Sequence, residues 1–194
     1  HTPNKRWVAC AALASLYELY REEAYAHRAE EWLMEGIDID ADGQFSERST
    51  AGYNAICDWA LLLTAEKLNR PELLEPVRRN LDAIQYLLHA DGEVVTEISH
   101  RQDQNTRGNM GGYWFPVRYM ANKDRNGRYE SLARSLEPQY ASLTRLMEYP
   151  FLLERVVEPE PLPRDFEKLF PANGVVRYRR GDLSATILLR ENSR

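Results

Sequence analysis

The run Trp7-Val8-Ala9-Cys10-Ala11-Ala12-Leu13-Ala14-Ser15-Leu16 is nearly all small or apolar. With no polar stripe for water to wet, it reads as a helix buried on most sides. The next segment, from Glu23 to Glu35, has a different pattern: Ala26, Ala29 and Leu33 line one face, while His27, Arg28, Glu30 and Glu31 face away from it. An inner helix is followed by an outer one. The alternation repeats, with Ala55 to Ala65 apolar almost all round and Pro71 to Leu88 amphipathic through Leu74, Val77, Leu81, Ile84 and Leu88. Pro71 suits a first helical turn, where the missing amide hydrogen has no partner to lose.

A third pair follows. Tyr113-Trp114-Phe115 and Tyr119-Met120 fall in one helix, and Leu132, Leu136, Tyr140, Leu143 and Met147 recur at helical spacing in the next. Pro116 and Pro138 blur the ends of both. The dipeptides Asp42-Gly43, Asp91-Gly92 and Asn126-Gly127 mark tight turns between elements, recurring like a loose helical-hairpin repeat. The expected architecture is mainly α: an incomplete α/α toroid of helical hairpins over residues 1–149, since a closed ring would need more helices.

After Tyr149-Pro150 the character changes. Glu158-Pro159-Glu160-Pro161-Leu162-Pro163 cannot sustain a helix, so residues 150–163 read as a stiff, extended linker. Val175 to Arg179, Arg180-Gly181-Asp182 and Leu183 to Leu189 then read as strand, turn, strand. A lone hairpin is marginal in water. Residues 164–194 are therefore expected to be the truncated start of a β domain, or to pack against the helices. The start almost directly on a helix, without the basic and apolar regions of a signal peptide, likewise implies a piece of something longer, from which secretion is not readable.

The 194 residues, 43% of them apolar, suffice for one substantial core. The net charge of -5 speaks against wholesale nucleic-acid binding, which calls for a basic face. No stretch reaches the roughly 18 uninterrupted apolar residues of a membrane span. Cys10 and Cys57 lie inside apolar runs, where a thiol acts as a small hydrophobe rather than a disulfide or metal ligand.

The residues with chemistry to offer cluster before the inner helices. Asn4 and Lys5 precede the first, and Tyr53 lies about one turn into the second, with Ser49 or Thr50 available as its cap. If inner helices run parallel, these positions share one rim. β-Elimination on a uronic acid must remove a weakly acidic proton beside a carboxylate, and an amide or cation that neutralises the carboxylate makes the carbanion-like transition state accessible. A tyrosine can serve as base where positive charge lowers its pKa from about 10; Lys5, Arg6 and Arg48 are the nearby candidates. The plain alternative is a helix-capping Asn4 and a core Tyr53.

Asn4-Lys5-Arg6-Trp7, together with the segment from Asp42 to Tyr53, resembles the toroid of the heparinase II/III-like polysaccharide lyases and, more loosely, the related alginate lyases. Those enzymes carry an Asn-His pair on one inner helix and a tyrosine on a following one, and Gln44, Glu47, Ser49 and Tyr53 match the loop before that tyrosine. The likeness covers the first two hairpins well, the third weakly, and the last hairpin only as the start of a β-sandwich. It implies a lyase acting on an acidic polysaccharide or oligosaccharide, with Asn4 and Lys5 neutralising the carboxylate and Tyr53 as base. Gln44, Glu47 and Arg48 would line the cleft, and no cofactor is implied. Independently of the resemblance, His100 and Arg101 open a long polar loop, His100-Arg101-Gln102-Asp103-Gln104, that ends at Arg107-Gly108; they are candidates to bind a sugar carboxylate or the glycosidic oxygen in the same cleft, the plain alternative being a solvated loop. Lys5 stands where the family often has histidine. A further family histidine commonly comes from the β domain, so the chain by itself is expected to be inactive.

Three other readings compete. Asp38, Asp40 and Asp42, followed by Gly43, resemble the opening of an EF-hand calcium loop, but Ser49 occupies the twelfth position, where a bidentate glutamate belongs. Glu47, Asp91, Glu97 and Asp103 would suit a toroidal glycoside hydrolase if two of them opposed each other. A toroid that binds carbohydrate without chemistry is the third.

Overall fold

The computed structural model describes residues 3–189. Among these, seven α-helices precede a small sheet: α1 (Pro3–Tyr20), α2 (Glu23–Leu33), α3 (Tyr53–Lys67), α4 (Leu74–Ile84), α5 (Trp114–Asp124), α6 (Gly127–Tyr140), α7 (Leu143–Glu148), then β1 (Asp165–Phe170), β2 (Val175–Arg180) and β3 (Leu183–Leu188). Residues 1–2 and 190–194, which the expected helical and β segments included, lie outside the described residues.

Three bends fold the helices into the hairpins α1–α2, α3–α4 and α5–α6. Each bend holds one residue in the left-handed region, Arg21 (φ 57), Asn69 (φ 55) and Arg125 (φ 52), which reverses the chain within a few residues. Asn126 then caps α6, its side chain accepting the amides of Arg128 at 3.0 Å and Tyr129 at 3.2 Å. α3 packs against α1, α4 and α5, while α2 and α6 lie on α1 and α5. The expected alternation of inner and outer helices therefore holds at this level. Leu61, Leu62 and Leu63 of α3 are buried, each worth about 2 kcal/mol in apolar surface removed from water.

Several boundaries differ from the sequence expectation. α1 buries only the stripe Asn4, Trp7, Cys10, Ala11 and Ala14 and leaves Leu19 and Tyr20 exposed. α2 and α3 are its helical neighbours, so apolar composition alone overstated its burial. α4 ends at Ile84, and Leu88 instead bridges to Val94. The stripe from Leu132 to Met147 is broken: α6 stops at Tyr140, Ser142 caps α7 by accepting the Arg145 amide, and Leu143 and Met147 are exposed. Pro116 sits in the first turn of α5, where it costs no hydrogen bond.

The sheet is antiparallel in the order β1-β2-β3, one strand more than the expected hairpin. It rests on the helical part. Phe166 meets the Tyr86 ring edge-on with centroids 5.1 Å apart, Arg177 donates to the carbonyls of Tyr86 and Leu88, and the Asp42 carboxylate accepts both the backbone and side-chain N–H of Asn173. The proline-rich segment is no free spacer: Glu160 N donates to the Gly127 carbonyl at 2.9 Å, which lays the chain along the start of α6. No helix among the described residues is long and apolar enough to cross a membrane.

Because the bends occupy one end of the hairpins, the long connections 34–52 and 85–110 gather at the other, beside the N-termini of α1, α3 and α5. That end carries the polar residues singled out above.

Candidate functional site

Tyr53 opens α3, and the turn before it is held from two sides. Ser49 Oγ accepts the Tyr53 amide at 3.0 Å, which fulfils the expected capping role. The same hydroxyl donates to Asp103 at 3.0 Å, while Ser99 and the Ala51 amide also bond that carboxylate. Thr50 donates to the Val95 carbonyl. Asp103 thus staples the 99–103 loop to the start of α3, and with it the next two side chains are delivered to Tyr53. Arg101 lies over the Tyr53 ring, 4.9 Å from its centre, and Gln102 Nε2 donates to the phenol oxygen at 2.6 Å. These hydrogen bonds, first from Gln102 and then from Arg101, hold the phenol below its usual pKa.

Glu47 completes the group. Its carboxylate lies 3.4 Å from Arg101 Nε, and its residue is only 7% exposed. Burial raises its pKa, opposed by the Arg101 charge and by the backbone N–H of Asn4. The chain of neighbours Asn4, Glu47, Arg101, Tyr53 therefore joins the N-termini of α1 and α3 on one rim. A phenol shifted toward ionisation and a carboxyl shifted toward its protonated form flank one guanidinium, which is an arrangement suited to proton transfer beside an anion.

Not every residue nominated by the sequence joins this group. Gln44 is buried and accepts from Asn54 Nδ2 at 2.8 Å, so it supports α3 from beneath rather than lining a cleft. Arg48 reaches the Ala172 carbonyl at 3.2 Å, toward the sheet. Arg6 is bound to Glu35 and to the Gly36 carbonyl and lies over the Trp7 ring. Neither acts on Tyr53; the hydrogen bonds of Gln102 and Arg101 and the charge of Arg101 do. Lys5 and His100 are exposed on the rim, and the His100 amide donates to the Glu47 carbonyl at 2.9 Å. Asn4 is 6% exposed, with Oδ1 accepting the Lys5 amide. Gln102 was passed over individually because nothing in a polar loop of mixed donors distinguishes one amide from its neighbours.

The three aspartates of the calcium-like pattern diverge. Asp38 accepts from Trp7 Nε1 at 2.9 Å and from Ser46 Oγ at 2.7 Å, Asp40 from the amides of Asp42 and Gln44, and Asp42 from Asn173. They act as turn and docking acceptors, and no group of three metal-binding side chains occurs among the described residues. Of the carboxylates considered for hydrolysis, Asp103 has both oxygens bonded within the rim.

A cleft lies elsewhere. It encloses about 700 Å3 between the 88–93 turn, α6, the proline-rich segment and the sheet, and it is lined by none of Asn4, Lys5, Glu47, Tyr53 or Arg101. Comparison of the chain with protein-family models, with curated proteins and with solved structures finds no match.

Proposed function

We propose that the rim around Tyr53 binds a uronic-acid-containing saccharide and eliminates across its glycosidic bond, on helical hairpins that form part of an α/α toroid. The observation that carries this reading is the pairing of an accessible phenol with Arg101 and Gln102. The Tyr53 phenolate takes the proton from the carbon beside the substrate carboxylate. The freed electron pair forms the carbon–carbon double bond, and the glycosidic C–O bond breaks with its electrons on the leaving oxygen, which Tyr53 then reprotonates. Arg101 stabilises charge on the substrate carboxylate, with Asn4 and Lys5 beside it. Glu47 holds Arg101 in place. His100 offers a further donor at the edge.

The test is formation of unsaturated product from acidic polysaccharides, followed by ultraviolet absorbance. Tyr53→Phe should lower turnover by a factor of about 100 to 10,000, the usual effect of one positioned proton-transfer group; unchanged turnover would reject the role. A second reading is carbohydrate binding without chemistry, favoured by the near-burial of Asn4 and by an exposed lysine at position 5. Binding of uronate oligosaccharides with no unsaturated product would select it.

A further inference from the structure

The inward face of β2 carries two arginines, Arg177 and Arg179, both buried among the helices, and no carboxylate of a described residue lies within ion-pair distance of either. Arg177 spends its donors on neutral oxygens: the carbonyls of Tyr86 and Leu88 and the hydroxyls of Ser184 and Thr186. Burial lowers its pKa to about 10, with Arg179 adding repulsion and Glu97 opposing. Arg179 is only 8% exposed and donates Nε to the Gly181 carbonyl at 3.1 Å, and it is one of the residues that line the 700 Å3 cleft. A charge so far removed from water is costly unless something compensates it.

The rest of the cleft says what would compensate it. Arg164, also without an ion pair to a described residue, and His89 line the same cleft. Of the two carboxylates there, Glu93 is taken by Arg107, and Asp91 accepts the Glu93 amide at 3.0 Å. The lining also carries apolar side chains, Leu88, Met110, Leu132, Leu136 and Leu162, beside the polar Ser135 and Gln139. The volume falls within the roughly 300–1,000 Å3 of small-molecule sites, which are commonly apolar with a few converging polar groups.

From this juxtaposition we infer that the cleft binds an amphipathic organic anion, its carboxylate or phosphate on Arg179 and Arg164 and its apolar body against the leucines of the lining. The site is separate from the Tyr53 rim and does not depend on the reading given for that rim.

Calorimetric titration of the full chain with octanoate and with octyl phosphate tests it, with octanol and inorganic phosphate as controls for head and body. One of the two amphiphiles should bind at least about tenfold more tightly than either control, as expected for a charge-assisted contact added to apolar burial; the preferred one identifies the head group. Arg179→Met should weaken binding by about tenfold. If that variant fails to fold, the exposed Arg164→Ala should still weaken binding, and Ser135→Trp, which fills the cleft without altering a charge, should abolish it. Equal binding of octanol, no binding of either amphiphile, or wild-type affinity in Arg164→Ala and Ser135→Trp would overturn the inference.

Discussion

The Arg101 guanidinium lies 4.9 Å from the centre of the Tyr53 ring, and its own loop is fastened to the start of α3 through Asp103. The position of that cation over the phenol is thus set by a carboxylate that touches neither the ring nor the hydroxyl.

The phenol of Tyr53 is therefore expected to ionise below the usual tyrosine range, and Gln102→Ala or Arg101→Ala should each move its titration upward. Phenolate difference absorbance, referenced to Tyr53→Phe, measures this. Asp103→Asn should shift the Tyr53 titration in the same direction, because the loop that delivers both donors loses its charged staple.

Asp58 should make stability fall as pH rises. It is fully buried on α3, neither carboxylate oxygen has a hydrogen-bond partner, and burial raises its pKa well above the ordinary value. Below the unfolded-state pKa both states hold the proton and nothing is lost. Above it the unfolded chain ionises while the folded one does not, so stability declines toward the folded pKa by up to about 1.4 kcal/mol per pH unit. Asp58→Asn should remove that slope. Its melting temperature should exceed the wild type at neutral pH and match it more closely in acid.

Glu130 should behave in the opposite sense. Its carboxylate is buried and bonded by Arg118, itself fully buried, and by Arg134. Burial works against ionisation, but the hydrogen bonds from Arg134 and Arg118 outweigh it and hold the pKa below the usual range. That contribution is present above the unfolded-state pKa and is lost as pH falls through the folded value. Glu130→Ala, which leaves the buried Arg118 only the Glu137 carboxylate 3.7 Å away, should cost about 3 kcal/mol by denaturant titration, whereas replacing both Glu130 and Arg118 with methionine should cost much less.

Two Asp-Gly turns that look alike in sequence should respond differently to alanine. Gly43 has φ 79, and a Cβ there would meet the Arg79 carbonyl oxygen at 2.3 Å; Gly92 has φ 87 with nothing within 4 Å. Gly92→Ala should cost only backbone strain, about 1 kcal/mol. Gly43→Ala should cost about 3 kcal/mol or more, because the turn is packed on α4, where Asn80 Nδ2 donates to the Gly43 carbonyl at 2.7 Å. Chemical denaturation of the pair separates the two contributions.

Much of the helical part was legible because burial and periodicity are local consequences of composition. Leu61 to Leu63 could only be inner, and Ala29 with Leu33 could only be one face of an outer helix. β1 escaped notice because Phe166-Glu167-Lys168-Leu169-Phe170 has its alternation interrupted by Leu169, and only pairing with β2 makes it a strand. Asn4, Glu47 and Tyr53 were legible as members of one rim once parallel inner helices were assumed. Gln44 and Arg48 turn away from Tyr53 because side chains along an irregular connection point in unrelated directions, one into the helices and one toward Ala172.

By itself the sequence determined the order of the helices up to α6 and their inner or outer character, since 3.6-residue periodicity and turn dipeptides are written into neighbouring residues. Only the tertiary structure decided which cation serves Tyr53, which carboxylates are buried without partners, and that Arg179 of β2 borders a cleft while Arg177 is buried against neutral oxygens. Those properties depend on what packs opposite a side chain, and the residues opposite, Arg101 to Tyr53 or Arg177 to Leu88, are brought there by the stacking of hairpins and sheet.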